Sequence, residues 1–391
     1  MIRKGSLGVL IVAMTVICAA CWDRTEINDI ALVMASSIDL DEDGRYSGSL
    51  QMAIPARQIG NTTQKSKRYF VESGAGNGIQ QMIMDTQPKL SRRLFVAHRR
   101  VLFIGERLAK HGLKDIFDYH GRNPTTRLRT YVLVVKGGEG HDALDIEYPL
   151  EFVPTEAVRE MELMVGSTAV TMRDLFAAAS GEGIQPVLGV IELKPVKEKG
   201  KAGATKTFDL TGTAVFKDLK LVGYLNGRDT QLMLWVTGKL KDGSLAVELP
   251  GTEDTVNVKL TEAKRKISPK VENGKVTFAI RLEGKGTVEE DTSHLDFANP
   301  DNLHLVENEL EKLIGKRMRK MIADVQKTYD SDIFGFGEVL HKKNNKAWRQ
   351  LKSNWNETFA EAEFTIDTDF VVIRAGMTGP SLQLREQEVV K

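Results

Sequence analysis

The chain has two cysteines, and the setting of Cys21 predicts covalent chemistry. Ala19 and Ala20 precede it, and a cysteine after two small residues at the end of an apolar run is typical of a lipobox. We expect cleavage between Ala20 and Cys21, an S-diacylglyceryl group on the Cys21 thiol and an acyl chain such as palmitate on its amino group. Cys18 replaces the more usual Leu at the first lipobox position. The alternative is a buried cysteine in a core helix.

Residues 7–20 form a nearly continuous apolar run behind a positive start at Arg3 and Lys4. A membrane-spanning helix needs about 20 apolar residues, so this shorter run indicates a secretory signal peptide. Acyl chains contribute about 0.8 kcal/mol for each buried methylene, and two or more chains hold a protein on a bilayer. Trp22 would lie at the bilayer interface, which favours an indole. The sequence therefore predicts an exported protein with a lipid anchor.

The composition is that of a folded body with little net charge. Of the 391 residues, 41% are apolar and 27% are charged, which is enough to bury cores in two or three domains. Removing residues 1–20 takes away Arg3 and Lys4 and lowers the formal net charge from +1 to −1. That balance argues against nucleic acid as a partner. With Cys18 removed and Cys21 acylated, no thiol remains for disulfides, metal binding or redox catalysis.

Hydrophobic periodicity predicts an α+β fold in which mixed β-sheets are packed with helices. A hairpin is expected over 30–54 and a long amphipathic helix over 302–328. We also expect a strand at 231–236, a strand at 364–373 and a helix that carries Trp348, Leu351, Trp355 and Phe359. The predicted organisation is a signal peptide (1–20), an N-terminal domain (21–196), a linker or long loop (197–206), a C-terminal region (207–376, which could split near 266) and a flexible tail (377–391).

No residue pattern indicates catalysis. In the glycine-rich stretch 74–78, Ile79 stands where G-x-G-x-x-G needs its third glycine and no clear strand precedes it, so a turn into a helix is predicted. No serine lies in a G-x-S-x-G elbow. The acidic runs 41–43 and 289–291 indicate turns and solvated faces. No histidine lies in H-E-x-x-H or at zinc-ligand spacing: His98, His111, His120, His141, His294, His304 and His341. We expect no catalytic residue, no cofactor and no metal.

Three basic clusters remain, at 92–100, 264–266 and 316–320. On a lipid-anchored protein such clusters could contact anionic headgroups or the acidic loops of a partner. The plainer interpretation is a solvated face, above all on the long helix.

Four segments, in this order along the chain, carry a resemblance to a known family: CWDRTEINDIALVMASSIDL (21–40), SRRLFVAHRRVLFIGERLAKHGL (91–113), LTGTAVFKDLKLVGYLNGRDTQ (210–231) and QKTYDSDIFGFGEVLHKKNNKAWRQLKSNW (326–355). The chain resembles the Ger(x)C lipoproteins, which are the C subunits of nutrient germinant receptors in spores of Gram-positive bacteria. The resemblance extends over essentially the whole chain. The lipobox is common to many lipoproteins, whereas the set of segments is specific.

The resemblance implies a three-domain α+β fold. It implies further that the lipid on Cys21 holds the protein at the outer face of the spore inner membrane. It also implies joint action with a multi-spanning A subunit and a transporter-like B subunit in nutrient sensing and germination. The family has no known catalytic residue, and Cys21 is the one functional residue that carries over. Two alternatives stay open: a solute-binding lipoprotein that feeds a membrane transporter, and a cell-wall hydrolase, for which neither a zinc set nor a nucleophile motif is found.

Overall fold

The computed structural model describes residues 26–54, 68–123, 126–146, 148, 150–164, 167–196, 205–293 and 295–374. The predicted lipobox with Cys21, most of the predicted linker and the predicted tail lie outside these residues. No helix in the described ranges is long and apolar enough to cross a bilayer.

Nine described strands form one mixed sheet, in the order β3-β2-β1-β5-β6-β7-β8-β9, with β4 beside β1. They are β1 Ile30–Leu40, β2 Tyr46–Ala53, β3 Tyr69–Gly76, β4 Arg93–Phe95, β5 Val101–Gly105, β6 Tyr131–Val135, β7 Val187–Val196, β8 Thr205–Lys217 and β9 Lys220–Asn226. The central strands β1, β5, β6 and β7 run parallel. Strands β5 and β6 are continuous apolar runs, as expected of parallel strands covered on both faces.

Helices cover both faces of this sheet. They are α1 Ile79–Thr86, α2 Glu106–His111, α3 Lys114–Arg122, α4 Gly140–Leu144, α5 Pro154–Met164 and α6 Met172–Ser180. Side chains alternate along β5: Leu102 and Ile104 pack with α1, α2, α3 and α6, whereas Val101 and Phe103 pack with α4 and α5. The two-residue period of a strand thus divides one apolar run between two cores.

A second sheet has four described strands in the order β10-β11-β12-β13. The strands are β10 Ser244–Glu248, β11 Thr255–Glu272, β12 Lys275–Asp291 and β13 Glu363–Arg374. The associated helices are α7 Gly227–Thr237, α8 Pro300–Asp324, α9 Phe336–Lys343, α10 Asn345–Leu351 and α11 Trp355–Glu361, and a π-helical turn, Val325–Tyr329, continues α8. One core joins Phe278 and Ile280 of β12 to Leu310 and Ile314 of α8.

The structure confirms the predicted α+β class, with mixed sheets and helices. Strand β1 has the predicted bounds, and α8 with its π turn covers the whole of the long helix predicted at 302–328. The sheet continues across the predicted linker, because β7 and β8 pair antiparallel from Val187↔Val215 to Val196↔Thr205. The first sheet therefore extends to Asn226, beyond the boundary expected at 196, and the division into domains stays a prediction.

The strand predicted at 231–236 is wrong, since these residues belong to helix α7. Residues 232–236 are all buried, so the segment has no polar face from which a helical period could be recognised. The ends of α7 do carry signals. The Asn226 side chain accepts a hydrogen bond from the Asp229 N–H, and Gly238 adopts φ 72° after the last turn.

The single helix predicted through Trp348 and Phe359 is also wrong. Helix α10 ends at Leu351, a 3-10 turn spans Lys352–Asn354, and α11 begins at Trp355. The break changes little in the packing, because Trp348, Trp355 and Phe359 still share one core. Apolar spacing alone did not distinguish one helix from two short ones.

The expectation that no clear strand precedes the glycines at 74–78 is wrong, because β3 ends at Gly76 and α1 begins at Ile79. The glycines allow close packing. A Cβ atom on Gly74 would lie 2.4 Å from both the Met82 carbonyl oxygen and the Thr86 Oγ1 atom. This approach of helix to strand accounts for Gly74 without a bound phosphate.

Replacing Gly74 with alanine should therefore lower the free energy of unfolding by about 2 kcal/mol, since α1 must move off the sheet. Gly121→Ala is the matched control. Gly121 lies within α3 with open space around its Cα, and alanine there should raise stability by about 0.5–1 kcal/mol. The check is urea unfolding of both variants; equal effects would contradict the packing role of Gly74.

Candidate functional site

The predicted chemical residues are not brought together. No group of three or more His, Cys, Asp or Glu side chains in the described ranges could hold a metal ion. Cys21 and His294 lie outside those ranges. Among the other histidines, His120 is buried, the His141 Nδ1 atom lies 2.8 Å from the Ser49 hydroxyl, and His341 stacks on Trp348.

The most concentrated polar arrangement is centred on Asp332, which is buried between α8 and α9. Its carboxylate accepts hydrogen bonds from the backbone N–H groups of residues 334–337 at 2.9–3.2 Å. The Trp355 indole N–H also donates to it, at 3.0 Å. Burial raises the pKa of Asp332 to about 6, although these donors act to lower it. The five bonds fix the loop that starts α9, so we interpret Asp332 as structural.

The same loop contacts the first sheet's layer through two glycines. A Cβ atom on Gly337 would lie 2.5 Å from the Gly183 Cα atom, and Gly183 itself has φ +79°. The Glu338 N–H donates to the Gly183 carbonyl at 3.2 Å, and the Gln185 N–H donates to the Asp332 carbonyl at 2.8 Å. Backbone therefore packs directly on backbone. We call this contact of residues 182–185 with residues 331–338 the joint.

Side chains from α10 and from the 3-10 turn after it complete the joint. The Trp348 indole N–H and the Lys352 ammonium each donate to Glu182, both at 3.1 Å. These hydrogen bonds lower the pKa of Glu182. Trp348 packs on Trp355 with 5.2 Å between ring centroids. Residues 332–337 (DIFGFG), together with Trp348 and Trp355, therefore attach the second sheet to the first.

A second contact between the layers involves Gly223 on β9. A Cβ atom there would lie 2.1 Å from the Tyr329 ring, and the Tyr329 hydroxyl donates to the Tyr224 carbonyl at 2.9 Å. Nearby, the Ser331 hydroxyl donates to the Phe216 carbonyl at 2.7 Å. The π turn after α8 is thus held against the hairpin of β8 and β9.

The Gly-Glu pair at 105–106 also has a structural role. Asp39 accepts hydrogen bonds from the N–H groups of Gly140 and His141, and a Cβ atom on Gly105 would lie 2.1 Å from its Oδ1 atom. Burial raises the pKa of Asp39 to about 6. The Glu106 carboxylate accepts from the Gly137 N–H at 2.6 Å. These contacts fix the turns that begin α2 and α4.

One cleft of about 710 Å³ lies beside the joint, between α6 and the C-terminal end of α7. Its wall includes Glu162 on α5, whose side chain is 3% exposed. The Ser167 hydroxyl donates to the Glu162 Oε2 atom at 2.5 Å, while Oε1 has no hydrogen-bond partner among the described residues. Burial raises the pKa of Glu162 to about 7. The cleft has the volume of a small-molecule site, and sequence reasoning gave no indication of it.

Comparison with known proteins gives two matches to family descriptions. Residues 23–193 match the "Spore germination protein N-terminal domain", and residues 211–376 match "Spore germination B3/ GerAC like, C-terminal". Together the two ranges include most of both sheets.

Curated relatives match along nearly their whole lengths. The chain is 28% identical to the putative spore germination protein YfkR of Bacillus subtilis, over 91% of this chain and 92% of the relative. It is 24% identical to spore germination protein KC of the same organism, over 96% and 97%. The crystal structure of the GerBC protein is similar in fold, with a TM-score of 0.58, 22% identity and coverage of 87% of this chain and 98% of that one.

Proposed function

The chain belongs to the Ger(x)C family of spore germination proteins, and on this premise we propose that it is the non-catalytic C subunit of a nutrient germinant receptor. One observation carries the proposal: the two family descriptions match in order along the chain, and the gap between them falls within the β7–β8 hairpin. A protein of this kind acts by holding and contacting partners, so its function needs surfaces and stable internal packing.

The proposed anchor is a diacylglyceryl thioether on Cys21, with an acylated amino group after cleavage between Ala20 and Cys21. Support comes from the sequence pattern alone, since these residues lie outside the described ranges. The anchor would hold the body at the outer face of the spore inner membrane. There it would work with the A and B subunits of the receptor.

Two of the three buried acids with raised pKa values have structural roles, which agrees with the non-catalytic assignment. Asp332 and Asp39 each accept backbone N–H groups that fix a loop. An acid that serves in this way is not free to transfer protons to a substrate. The third acid, Glu162 in the cleft beside the joint, is not fixed in this way by backbone N–H groups of a described loop.

The cleft beside the joint favours a second candidate function, the solute-binding lipoprotein. Its volume of about 710 Å³ suits a small solute. Calorimetric titration of the protein with amino acids and sugars separates the two candidates, because a solute-binding lipoprotein should show tight binding by the isolated chain.

Spores that lack this chain should lose their response to particular nutrients, and Cys21→Ala should fail to restore it although the body folds normally. The reason is that the proposed lipid on Cys21, and not the folded body, supplies the attachment to the membrane. The measurements are the fall in optical density of spores exposed to single nutrients, and recovery of the chain in washed spore membranes. A non-nutrient trigger serves as the control.

Two outcomes would contradict the proposal. Equal recovery of Cys21→Ala and wild-type chains in washed membranes would exclude the lipid anchor. An unchanged response to every nutrient, in spores in which the other receptors are also deleted, would exclude the receptor role.

A further inference from the structure

Four arginines lie where parallel strands of the first sheet begin. Arg99 and Arg100 immediately precede β5, and Arg127 and Arg129 lie just before β6. Because β5 and β6 run parallel, with Val101 opposite Tyr131, the four arginines share one edge of the sheet. We call these four residues the arginine edge.

The backbone of the arginine edge is held in place. The Tyr131 N–H donates to the Arg100 carbonyl at 2.8 Å, and the Thr130 hydroxyl donates to the Arg99 carbonyl at 3.1 Å. The Arg173 N–H at the start of α6 donates to the Leu128 carbonyl at 2.9 Å. Hydrogen bonds therefore fix the backbone that carries the four arginines.

These charges are not neutralised within the described part of the chain. The four arginines line one cleft of about 630 Å³, together with Arg159. None of the four forms an ion pair with a described carboxylate. Arg159, in contrast, pairs with Glu156 and Glu160. Arg100, Arg127 and Arg129 are exposed. Unpaired cations around an open cleft attract anions.

Arg99 extends this positive charge into the fold. Its guanidinium donates to the Ser36 hydroxyl at 3.2 Å, and its buried Nε atom has no hydrogen-bond partner among the described residues. Burial lowers the pKa of Arg99 to about 10, so the side chain stays charged at neutral pH. A buried cation without an opposite charge is costly, and a nearby anion would reduce that cost.

An apolar side chain lies among the charges. Leu128, between Arg127 and Arg129, is 46% exposed. Exposed apolar groups beside arginines are typical of surfaces that rest on a bilayer, where the apolar groups enter the interface and the cations contact phosphates.

Strand β1 passes the arginine edge in the direction of Cys21 and continues to Ile30 beside β4. Strand β1 runs parallel to β5, and the Arg100 N–H donates to the Met34 carbonyl at 2.8 Å. Strand β1 begins at Ile30, so eight residues (22–29) lie between Cys21 and the sheet. The contact with Arg100 lies at Met34, thirteen residues after Cys21, so an extended chain of about 3.3–3.6 Å per residue places the arginine edge within about 45 Å of the lipidated residue.

We propose that the arginine edge rests on the phosphate groups of anionic lipids in the membrane that carries the anchor, and so fixes the orientation of the body. The proposal rests on the proposed lipid anchor for its geometry. The binding chemistry itself belongs to the folded body and can be measured without the anchor.

The test uses residues 21–391 with Cys21→Ala, since every described contact lies within 26–374. Sedimentation with phosphatidylglycerol vesicles should show binding that falls as salt is raised, with little binding to phosphatidylcholine vesicles. Each arginine near an anionic surface contributes about fivefold to binding, so Arg127→Gln with Arg129→Gln should weaken it about 25-fold. Lys316→Gln with Arg319→Gln on α8 removes the same charge elsewhere and should change binding less than about twofold.

Three results would overturn the proposal: equal binding to both kinds of vesicle, equal losses in the two double variants, or displacement by millimolar inorganic phosphate. The last result would indicate a site for a soluble anion. Because this protein carries no lipid, such failures would leave the receptor proposal standing. If Cys21→Ala spores fail to respond although the lipid-free protein binds anionic vesicles, the lipid anchor is needed in addition to the contact made by the arginine edge.

Discussion

Replacing Asp332 with alanine should lower the free energy of unfolding by about 4 kcal/mol. The change leaves four backbone N–H groups at 334–337 and the Trp355 indole N–H without their acceptor in a buried loop. An orphaned buried donor costs about 1–3 kcal/mol, and entry of water recovers part of that cost. Because this loop forms one side of the joint, the loss should also weaken the attachment of the second sheet.

The measurement is the urea midpoint followed by tryptophan fluorescence, since Trp355 itself donates to Asp332. Asp332→Asn should fall between alanine and wild type, because its amide oxygen can replace only one of the two carboxylate oxygens. Asp324→Ala is the control. Its ion pair with Lys320 is exposed, so its loss should change stability by less than about 1 kcal/mol. A similar small effect at Asp332 would show that the joint does not depend on the carboxylate.

Elements with a one-sided apolar period could be predicted from the sequence. Strand β12 alternates buried Val276, Phe278, Ile280 and Leu282 with more exposed neighbours, and α8 keeps its apolar residues on one face. In both cases water covers the opposite face, so the polar residues mark the period. Segment 231–236 lacks that contrast because residues 232–236 are all buried.

The joint could be predicted only in part. Asp332 three residues before Gly335 indicates a turn that starts a helix, and Gly335 adopts φ +75° there. The close approach of Gly337 to Gly183 connects residues about 150 positions apart, and no local pattern encodes such a contact. The resemblance identified the segment as characteristic of the family, and the structure supplies a physical reason for its glycines and tryptophans.

Two of the four segments that carry the resemblance meet at contacts between the layers. The segment at 210–231 places Gly223 under Tyr329, and the segment at 326–355 supplies Asp332 and Trp348 to the joint. In the proposed receptor subunit such contacts would couple the two sheets, because packed side chains and hydrogen bonds can carry a displacement from one element to another. None of the four residues of the arginine edge takes part in these contacts, which agrees with the proposed contact between the arginine edge and anionic lipids.

Glu162→Gln should stabilise the protein at pH 8 by about 3 kcal/mol while changing stability little at pH 4. Burial raises the pKa of Glu162 from its ordinary 4.5 to about 7. Below pH 4.5 the folded and unfolded states both hold the proton. Between pH 4.5 and 7 the unfolded state releases it while the folded state retains it, so stability falls by about 1.4 kcal/mol per pH unit, and above pH 7 the loss is complete.

Glutamine imitates the protonated acid and does not titrate, so the variant should escape this loss. Asp39 and Asp332 also have raised pKa values and contribute in the same direction, but their contributions cancel when the two proteins are compared at each pH. The measurement is urea unfolding of both proteins at intervals from pH 4 to pH 8. An equal difference at every pH would mean that Glu162 is ionised in the fold throughout, and that its Oε1 atom has a cationic or water partner in the cleft beside the joint.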